Sequence, residues 1–335
     1  MSPPDPMRKI VASFPEMLES AWAARVPRGL PLTEGRCWLL GGMGGSGMAG
    51  AIGAWVQAER KKLALAWSQP EPPSWLSPSD RAVIVSYSGN TWESTALLEA
   101  CLDRSIPACA VSSGGKLGQR CRGGAVPLFT VPAGMQPRAA LPWLLAGVLR
   151  AAGGVSDETV ASAVALLQSE RANPSAGRDP VEIASEIEGR LAVFLPVGPV
   201  MEVVARRWRT QILENAKQSA IAAPVPEACH NEIVGWRWLR DVEIPVSFFV
   251  LDDPRRSSGI WESVVQALED EARRTGHPLR RIVPHPAGGL PALLADLFLA
   301  DSVSVELADR RGVEATPVAA IERLRRTLAR TPPQS

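Results

Sequence analysis

Short apolar runs alternate along the first half of the chain with longer segments whose apolar residues recur at helical spacing. The runs predict buried strands over 37–40, 63–67, 81–86, 109–112 and 127–131. The segments after the first and third of these runs predict helices over 48–57 and 92–104. Strands that alternate with helices form parallel sheets with right-handed crossovers. The pattern therefore predicts an α/β domain.

The second half of the chain repeats this plan. It predicts a strand over 191–195, a long helix over 200–220 and a strand over 245–251. A helix then opens with Trp261-Glu-Ser, which echoes the Trp92-Glu-Ser of the first half. We interpret the repeat as a degenerate internal duplication that gives two doubly wound, flavodoxin-like domains.

The domain boundaries follow from this repeat and from a polar, helical stretch between its two halves. The stretch covers about 155–188 and is broken at Asn173-Pro174. We predict an N-terminal domain over 1–150, a helical connector over 151–188 and a C-terminal domain over 189–335.

Composition restricts the partners and the compartment. The 335 residues include 36 basic and 35 acidic side chains, and this near-neutral balance predicts no binding to nucleic acid or to an anionic membrane. No run approaches 18 uninterrupted apolar residues, and the first ten residues lack a signal-peptide core. Five cysteines without CxxC spacing predict reduced thiols in a cytoplasmic protein. Three histidines without ligand spacing predict no metal site.

A glycine-rich turn follows the first predicted strand. Gly42-Met-Gly44-Gly-Ser-Gly47 matches G-x-G-x-x-G, which in dinucleotide-binding proteins brings a pyrophosphate to a helix N-terminus. That fingerprint also requires an acidic residue at the end of the next strand, where this chain has Trp67-Ser-Gln-Pro70 and then Glu71. The fingerprint is incomplete, so NAD(P) binding and a purely structural turn both remain alternatives.

A second turn, Ser86-Tyr-Ser-Gly-Asn-Thr91, follows the third predicted strand. In a parallel sheet the loops after neighbouring strands meet at the carboxyl edge, where ligands bind. The hydroxyls of Ser46, Ser86, Ser88 and Thr91, with the helix N-terminal amides, would then hold a dianionic phosphate. The alternative is that the second turn provides only a helix N-cap.

These two loops, including Gly45, resemble the sugar-phosphate-binding loops of the sugar isomerase (SIS) domain. Three further segments narrow the resemblance to the bifunctional phosphoglucose/phosphomannose isomerases, which have two SIS domains. The segments are Pro137-Arg138-Ala-Ala140, Glu214-Asn-Ala-Lys217 and Pro226-Glu-Ala-Cys-His230-Asn-Glu-Ile-Val-Gly235. The resemblance extends from about Gly41 to Arg325.

The resemblance implies a role for each residue that matches a family motif. Glu214 would be the base that moves a proton between C1 and C2 of the sugar through an enediol. His230 would open the sugar ring and would reach the site from the partner subunit of a homodimer. Arg138 would stabilise the enediolate. Thr316 would lie beside the sugar and would be linked to the acceptance of both epimers.

Each of these residues also has a simpler interpretation. Glu214 lies off the apolar stripe of its predicted helix and could be a solvated carboxylate paired with Lys217. His230 could be an ordinary packed or surface residue, and Arg138 could be an ordinary surface guanidinium. Thr316-Pro317 could be the start of a helix, with proline in the first turn.

The chain departs from the family near its end. The segment Leu324-Arg325 stands where the family has Leu-Lys, and that Lys assists ring opening. Arg325 keeps the charge but hardly titrates and presents a planar fork. The sequence does not distinguish Arg325 from Arg323 as the residue that faces the site.

The reaction expected from these residues is the interconversion of fructose 6-phosphate with glucose 6-phosphate, mannose 6-phosphate or both. It would need no metal and no redox cofactor. A phosphosugar sensor without turnover is one alternative, prompted by Arg325. An amino-sugar phosphate isomerase or deaminase on the same fold is another.

Overall fold

Two parallel sheets organise the part of the chain that the computed structural model describes, which is residues 5–124, 126–252 and 259–329. The first sheet contains β1 (Cys37–Gly42), β2 (Leu63–Trp67), β3 (Arg81–Val85), β4 (Ala108–Ser112) and β5 (Leu128–Thr130). Its strand order is β2-β1-β3-β4-β5, and every pair is parallel. This is the flavodoxin-like order expected for a doubly wound domain.

The second sheet contains β6 (Leu191–Pro196), β7 (Ala220–Ala222), β8 (Val246–Leu251) and β9 (Leu279–Ile282). Its order is β7-β6-β8-β9, again with every pair parallel. In both sheets the first strand lies between the second and the third. The repeated plan predicted from the sequence is therefore present in the strand order, and the predicted fold class is confirmed.

Helices cover the faces of both sheets. The helices up to the end of the first sheet's domain are α1 (Pro6–Ala12), α2 (Phe14–Ala23), α3 (Gly44–Glu59), α4 (Trp92–Asp103), α5 (Gly115–Cys121) and α6 (Leu141–Ala152). Those that follow are α7 (Asp157–Ala172), α8 (Pro180–Ile187), α9 (Pro199–Gln211), α10 (Trp236–Asp241), α11 (Ile260–Thr275), α12 (Gly289–Arg310) and α13 (Ala319–Ala329). Among the described residues, none of these helices is long and apolar enough to cross a membrane.

The predicted helix over 200–220 is shorter in the structure. The α-helical part, α9, ends at Gln211 and continues as one π-helical turn over Ile212–Ala216. Lys217 then takes a left-handed conformation with φ of 53°, which ends the helix. Residue 220 belongs to β7 rather than to the helix.

Helix α12 was not predicted, because its sequence lacks a polar face. Most of its residues are buried, and it packs against α7, α8 and α9. A helix that is buried on all sides loses the 3.6-residue pattern on which sequence prediction depends. The helix lies at the centre of a core that joins both sheets, with Leu297 of α12, Leu144 of α6 and Trp208 of α9 in one buried cluster. This shared core brings α9 against α3, at the carboxyl edge of the first sheet.

Candidate active site

The glycine-rich turn at the end of β1 packs tightly against the segment that carries Arg138. A Cβ on Gly45 would lie 2.8 Å from the carbonyl oxygen of Pro137 and 3.0 Å from the Cα of Arg138. A Cβ on Gly47 would lie 2.6 Å from the carbonyl oxygen of Gly42. The glycines are therefore required for close packing, and this packing places the first turn of α3 beside Arg138.

The predicted hydroxyl cluster is assembled at the carboxyl edge of the first sheet, where β1 and β3 are neighbours. The backbone N–H of Tyr87 donates to Ser46 Oγ at 3.1 Å, which joins the two turns. Ser86 Oγ donates to Thr91 Oγ1, also at 3.1 Å. Ser88 Oγ accepts the backbone N–H of Asn90 at 3.2 Å.

Thr91 occupies the N-cap position of α4, but its side chain makes no capping hydrogen bond. Its hydroxyl instead accepts from Ser86. The Thr91 hydroxyl is therefore not used to cap α4 and is joined to Ser86 of the same turn.

Arg138 is a buried residue, with only 3% of its surface exposed. Its Nε donates to Asn215 Oδ1 at 2.6 Å, and its Nη2 donates to the carbonyl oxygens of Ala315 (2.7 Å) and Thr316 (3.0 Å). Burial lowers the pKa of its guanidinium from its usual value, and the neighbouring Glu214 acts in the opposite direction. The interpretation of Arg138 as a surface side chain is wrong.

Glu214 lies in the π-helical turn that follows α9. Such turns re-aim side chains and are frequent at functional sites. The Glu214 carboxylate is 3.5 Å from Arg138 Nη1, and about a quarter of its side chain is exposed (27%). The side chain is therefore held by a buried cation and keeps access to solvent.

Lys217 does not pair with the Glu214 carboxylate. Its Nζ donates to the backbone carbonyl oxygens of Glu214 (2.5 Å) and Ala315 (2.9 Å). Burial lowers the pKa of Lys217, and the nearby Arg138 lowers it further. The alternative of a Glu214–Lys217 side-chain pair is wrong in this structure.

A buried ion pair between Arg207 and Asp301 holds the backbone of Arg138 in place. Arg207 donates through Nε and Nη2 to both carboxylate oxygens of Asp301, each at 2.6 Å, and the same Nη2 donates to the backbone carbonyl of Arg138 at 3.0 Å. Gln211 Nε2 adds a third donor to Asp301 at 2.7 Å. Asn215 completes the layer by donating to Ser304 Oγ at 2.8 Å. Helices α9 and α12 thus form a polar layer beneath the site.

Thr316 is held by an acid from the other end of the chain. Thr316 Oγ1 donates to Asp5 Oδ1 at 2.5 Å, and its backbone N–H donates to Asp5 Oδ2 at 2.9 Å. Burial raises the pKa of Asp5, but the hydrogen bonds from Thr316 and Met7 outweigh this and hold it below its usual value. The interpretation of Thr316-Pro317 as the first turn of a helix is wrong, because α13 begins at Ala319.

Sequence reasoning missed Asp5 as part of the site. The only local signal is its place before Pro6 at the start of α1, where its side chain caps the helix by accepting from Met7. That signal predicts a helix start and gives no indication of Thr316.

His230 and Arg325 stand apart from this cluster within one chain. His230 ends a short 3-10 turn over Glu227–His230 and is exposed. Arg325 lies on the exposed surface of α13. Neither forms a hydrogen bond or ion pair with the described residues of the site. Two large apolar side chains that follow His230 in the sequence are also exposed, Val234 (80%) and Trp238 (59%).

The geometry therefore combines a hydroxyl- and amide-rich turn with an acid held by a buried arginine. This arrangement can bind a phosphate at one end of a ligand and exchange a proton at the other.

Comparisons with known proteins find relatives over most of the chain. The family model described as the bacterial phospho-glucose isomerase C-terminal SIS domain matches residues 178–328. A bifunctional phosphoglucose/phosphomannose isomerase of Aquifex aeolicus is 31% identical over 296 residues, which cover 86% of this chain and 88% of the relative. An isomerase of the same name from Pyrobaculum aerophilum is 31% identical over 295 residues and covers 86% of each chain.

Solved structures share the fold at lower identity. The tagatose-6-phosphate ketose/aldose isomerase of Escherichia coli superposes with a TM-score of 0.65 at 16% identity, over 91% of this chain and 89% of that one. A glucosamine-6-phosphate deaminase of Thermotoga maritima gives a TM-score of 0.66 at 14% identity, over 92% and 96%. These structures show the fold alone. The sequence relatives show that the chain belongs to the family of bifunctional phosphoglucose/phosphomannose isomerases.

Proposed function

We propose that this protein interconverts fructose 6-phosphate with glucose 6-phosphate and mannose 6-phosphate. The observation that carries the proposal is the Glu214 carboxylate, placed 3.5 Å from the guanidinium of the buried Arg138, whose backbone lies against Gly45 of the glycine-rich turn. Membership of the isomerase family and its named relatives support the same reaction.

The phosphate of the sugar binds at the first turn of α3 in this proposal. The backbone amides of the Gly45–Ser46 turn and the hydroxyls of Ser46, Ser86, Ser88 and Thr91 supply the donors. A helix N-terminus favours an anion because its free N–H groups and its dipole both point to the ligand.

The chemical step moves one hydrogen between neighbouring carbons. In the open-chain aldose, Glu214 removes the proton from C2 while O1 gains a proton, which gives an enediol. Arg138 stabilises the negative charge that develops on the enediolate oxygens. Glu214 then returns the proton to C1 as O2 loses its own and becomes the ketone. The substrate is neither oxidised nor reduced overall, so the step requires no redox cofactor.

We propose that His230 opens the sugar ring in the site of a partner subunit. Its exposure, its lack of a bond to the site residues of its own chain and the exposed apolar Val234 and Trp238 that follow it in the sequence support a position in a subunit interface. Each active site of the homodimer would then combine Glu214 of one subunit with the partner's His230.

Several finer assignments belong to the same proposal. Thr316 lies beside the sugar, and Arg325 of α13 stands in for the family lysine in ring opening. The division into 1–150, 151–188 and 189–335 gives the two SIS domains and their connector. The five free thiols support a cytoplasmic enzyme.

Turnover of fructose 6-phosphate by the purified protein tests the reaction. We expect both glucose 6-phosphate and mannose 6-phosphate to form, because the planar enediol can be reprotonated on either face at C2. The two products are measured with separate coupled assays. Incorporation of solvent deuterium at C2 of the aldose products is followed by NMR. Binding of fructose 6-phosphate without product formation and without exchange of a C1 hydrogen would contradict the proposed function and indicate a sensor.

Complementation between two inactive variants tests the shared site. We expect His230→Asn and Glu214→Gln to be inactive alone, and an equimolar mixture to regain about a quarter of wild-type activity after subunit exchange. The reason is that half of the dimers are mixed, and each mixed dimer has one intact site of two. Mixing without any gain, while subunit exchange is confirmed by mass, would place His230 and Glu214 in the same subunit's site.

A further inference from the structure

Arg206 brings a positive charge to the glycine-rich turn. It lies on α9, eight residues or about two turns before Glu214. Its Nη2 is 3.2 Å from the position that a Cβ on Gly47 would occupy. The guanidinium therefore lies against the first turn of α3, and the residue before Gly47 is Ser46 of the hydroxyl cluster.

The absence of a side chain at Gly47 allows the Arg206 guanidinium to come close to the glycine-rich turn. A side chain at Gly47 would be crowded on both sides, because its Cβ would also lie 2.6 Å from the Gly42 carbonyl oxygen. A side chain there would displace Arg206 from the turn or move the turn itself. Glycine at position 47 thus permits the close contact between Arg206 and the turn.

Arg206 differs from the other cations around the site because its side chain has no partner among the described residues. Arg207 is paired with Asp301, Arg138 with Glu214, and Lys217 with backbone carbonyls. The Arg206 guanidinium forms no hydrogen bond or ion pair with any residue that the structure describes, although the backbone carbonyl of Arg206 accepts from Thr210 Oγ1. Glu202 lies one turn earlier on α9, but no ion pair joins the two.

Arg206 is nevertheless half-buried. Burial lowers the pKa of its guanidinium, and the neighbouring cation Arg209 lowers it further. A cation that is partly removed from water without a counter-charge is unfavourable, and an anion that binds beside it relieves that cost. The position therefore favours an anionic ligand.

We propose that Arg206 is a substrate-binding residue that pairs with the phosphate of the sugar phosphate at the α3 turn. The phosphate is the fitting partner because Arg206 contacts the turn that would hold it, while Arg138 is already engaged with Glu214 at the reacting end. A guanidinium fork matches two phosphate oxygens, and it supplies the full positive charge that hydroxyls and amides lack. This inference rests on the proposed function for the identity of the sugar, but the phosphate contact can be measured without turnover.

The experiment compares Arg206→Gln with Arg209→Gln, an exposed arginine three residues further along α9. We expect Arg206→Gln to raise the KM for fructose 6-phosphate and the inhibition constant of inorganic phosphate by about 10- to 100-fold, as for a lost hydrogen bond between charged groups. Its kcat is expected to change less than about threefold, because the contact is made equally in the ground and transition states. Arg209→Gln is expected to leave all three constants unchanged.

Other outcomes overturn the inference. An unchanged KM and unchanged phosphate inhibition in Arg206→Gln would show that the arginine does not contact the phosphate. A loss confined to kcat would also overturn it, because that result assigns Arg206 to the reacting carbons. Equal losses in Arg206→Gln and Arg209→Gln would indicate a general electrostatic effect and overturn the specific contact.

Two further measurements separate this inference from the proposed function. Titration calorimetry with inorganic phosphate on wild type and Arg206→Gln reports the contact even if fructose 6-phosphate is not turned over. If Arg206→Gln does not fold, Arg206→Lys replaces it, because lysine keeps the charge but loses the planar fork. We expect weaker phosphate binding by about 3- to 10-fold in Arg206→Lys, and unchanged binding would overturn the inference.

Discussion

Replacing Glu214 with glutamine is expected to lower the turnover of fructose 6-phosphate by about 10²- to 10⁴-fold, the range for loss of a general base. Glutamine keeps the size of the side chain but cannot accept the proton that the base removes, which is a C1 proton of fructose 6-phosphate or the C2 proton of the aldose. Because Arg138 keeps its bonds to Asn215, Ala315 and Thr316, the site is expected to retain its shape and the KM to change little. Steady-state kinetics in both directions measures the effect.

Glu202→Gln is the matched control for this prediction. Glu202 is an exposed acid on the same helix, α9, and is expected to be replaced without loss of turnover. Exchange of the C2 hydrogen of glucose 6-phosphate with solvent gives a second measurement, since it should disappear in Glu214→Gln together with turnover. A Glu214→Gln enzyme that retained wild-type exchange would exclude Glu214 as the base.

The parts of the site that could be predicted from sequence are those built by local chain order. The two turns with Ser46 and Ser86 follow neighbouring strands of one parallel sheet, so their strand order brings them together without any long-range information. The glycines of the first turn can be recognised as a motif, but the need for glycine at these positions comes from tertiary packing. Gly45 has to be glycine because Pro137 and Arg138 press against it.

The parts that could not be predicted depend on contacts between distant segments. Asp5 and Thr316 are 311 residues apart, and nothing near either one indicates the other. Asp301 lies on α12, where burial on all sides removes the periodicity that identifies a helix face. The π-helical turn at Glu214 has no reliable sequence signal, and it changes the direction of the side chain at the position where direction matters most for catalysis.

Removing the carboxylate of Asp301 is expected to destabilise the protein strongly. Asp301 and Arg207 are both nearly fully buried, with side chains 3% and 2% exposed, and Asp301 accepts from Gln211 as well. In Asp301→Ala the Arg207 guanidinium would remain buried without its counter-charge. Breaking one side of such a pair typically costs about 3 to 5 kcal/mol. Denaturant unfolding followed by far-UV circular dichroism measures the loss.

Asp309→Ala provides the contrast, because Asp309 is a half-exposed acid paired with the exposed Arg8. Its loss is expected to cost less than about 1 kcal/mol, since water screens the pair and Arg8 keeps Glu306 as a partner.

Similar free energies of unfolding for the two variants would show that Arg207 finds another partner once Asp301 is gone. A large loss in Asp301→Ala alone would instead identify the α9–α12 pair as the support of the whole site, because Arg207 also donates to the backbone carbonyl of Arg138. In that case Asp301→Ala should also lower kcat at temperatures where the variant remains folded, through displacement of Arg138 from Glu214.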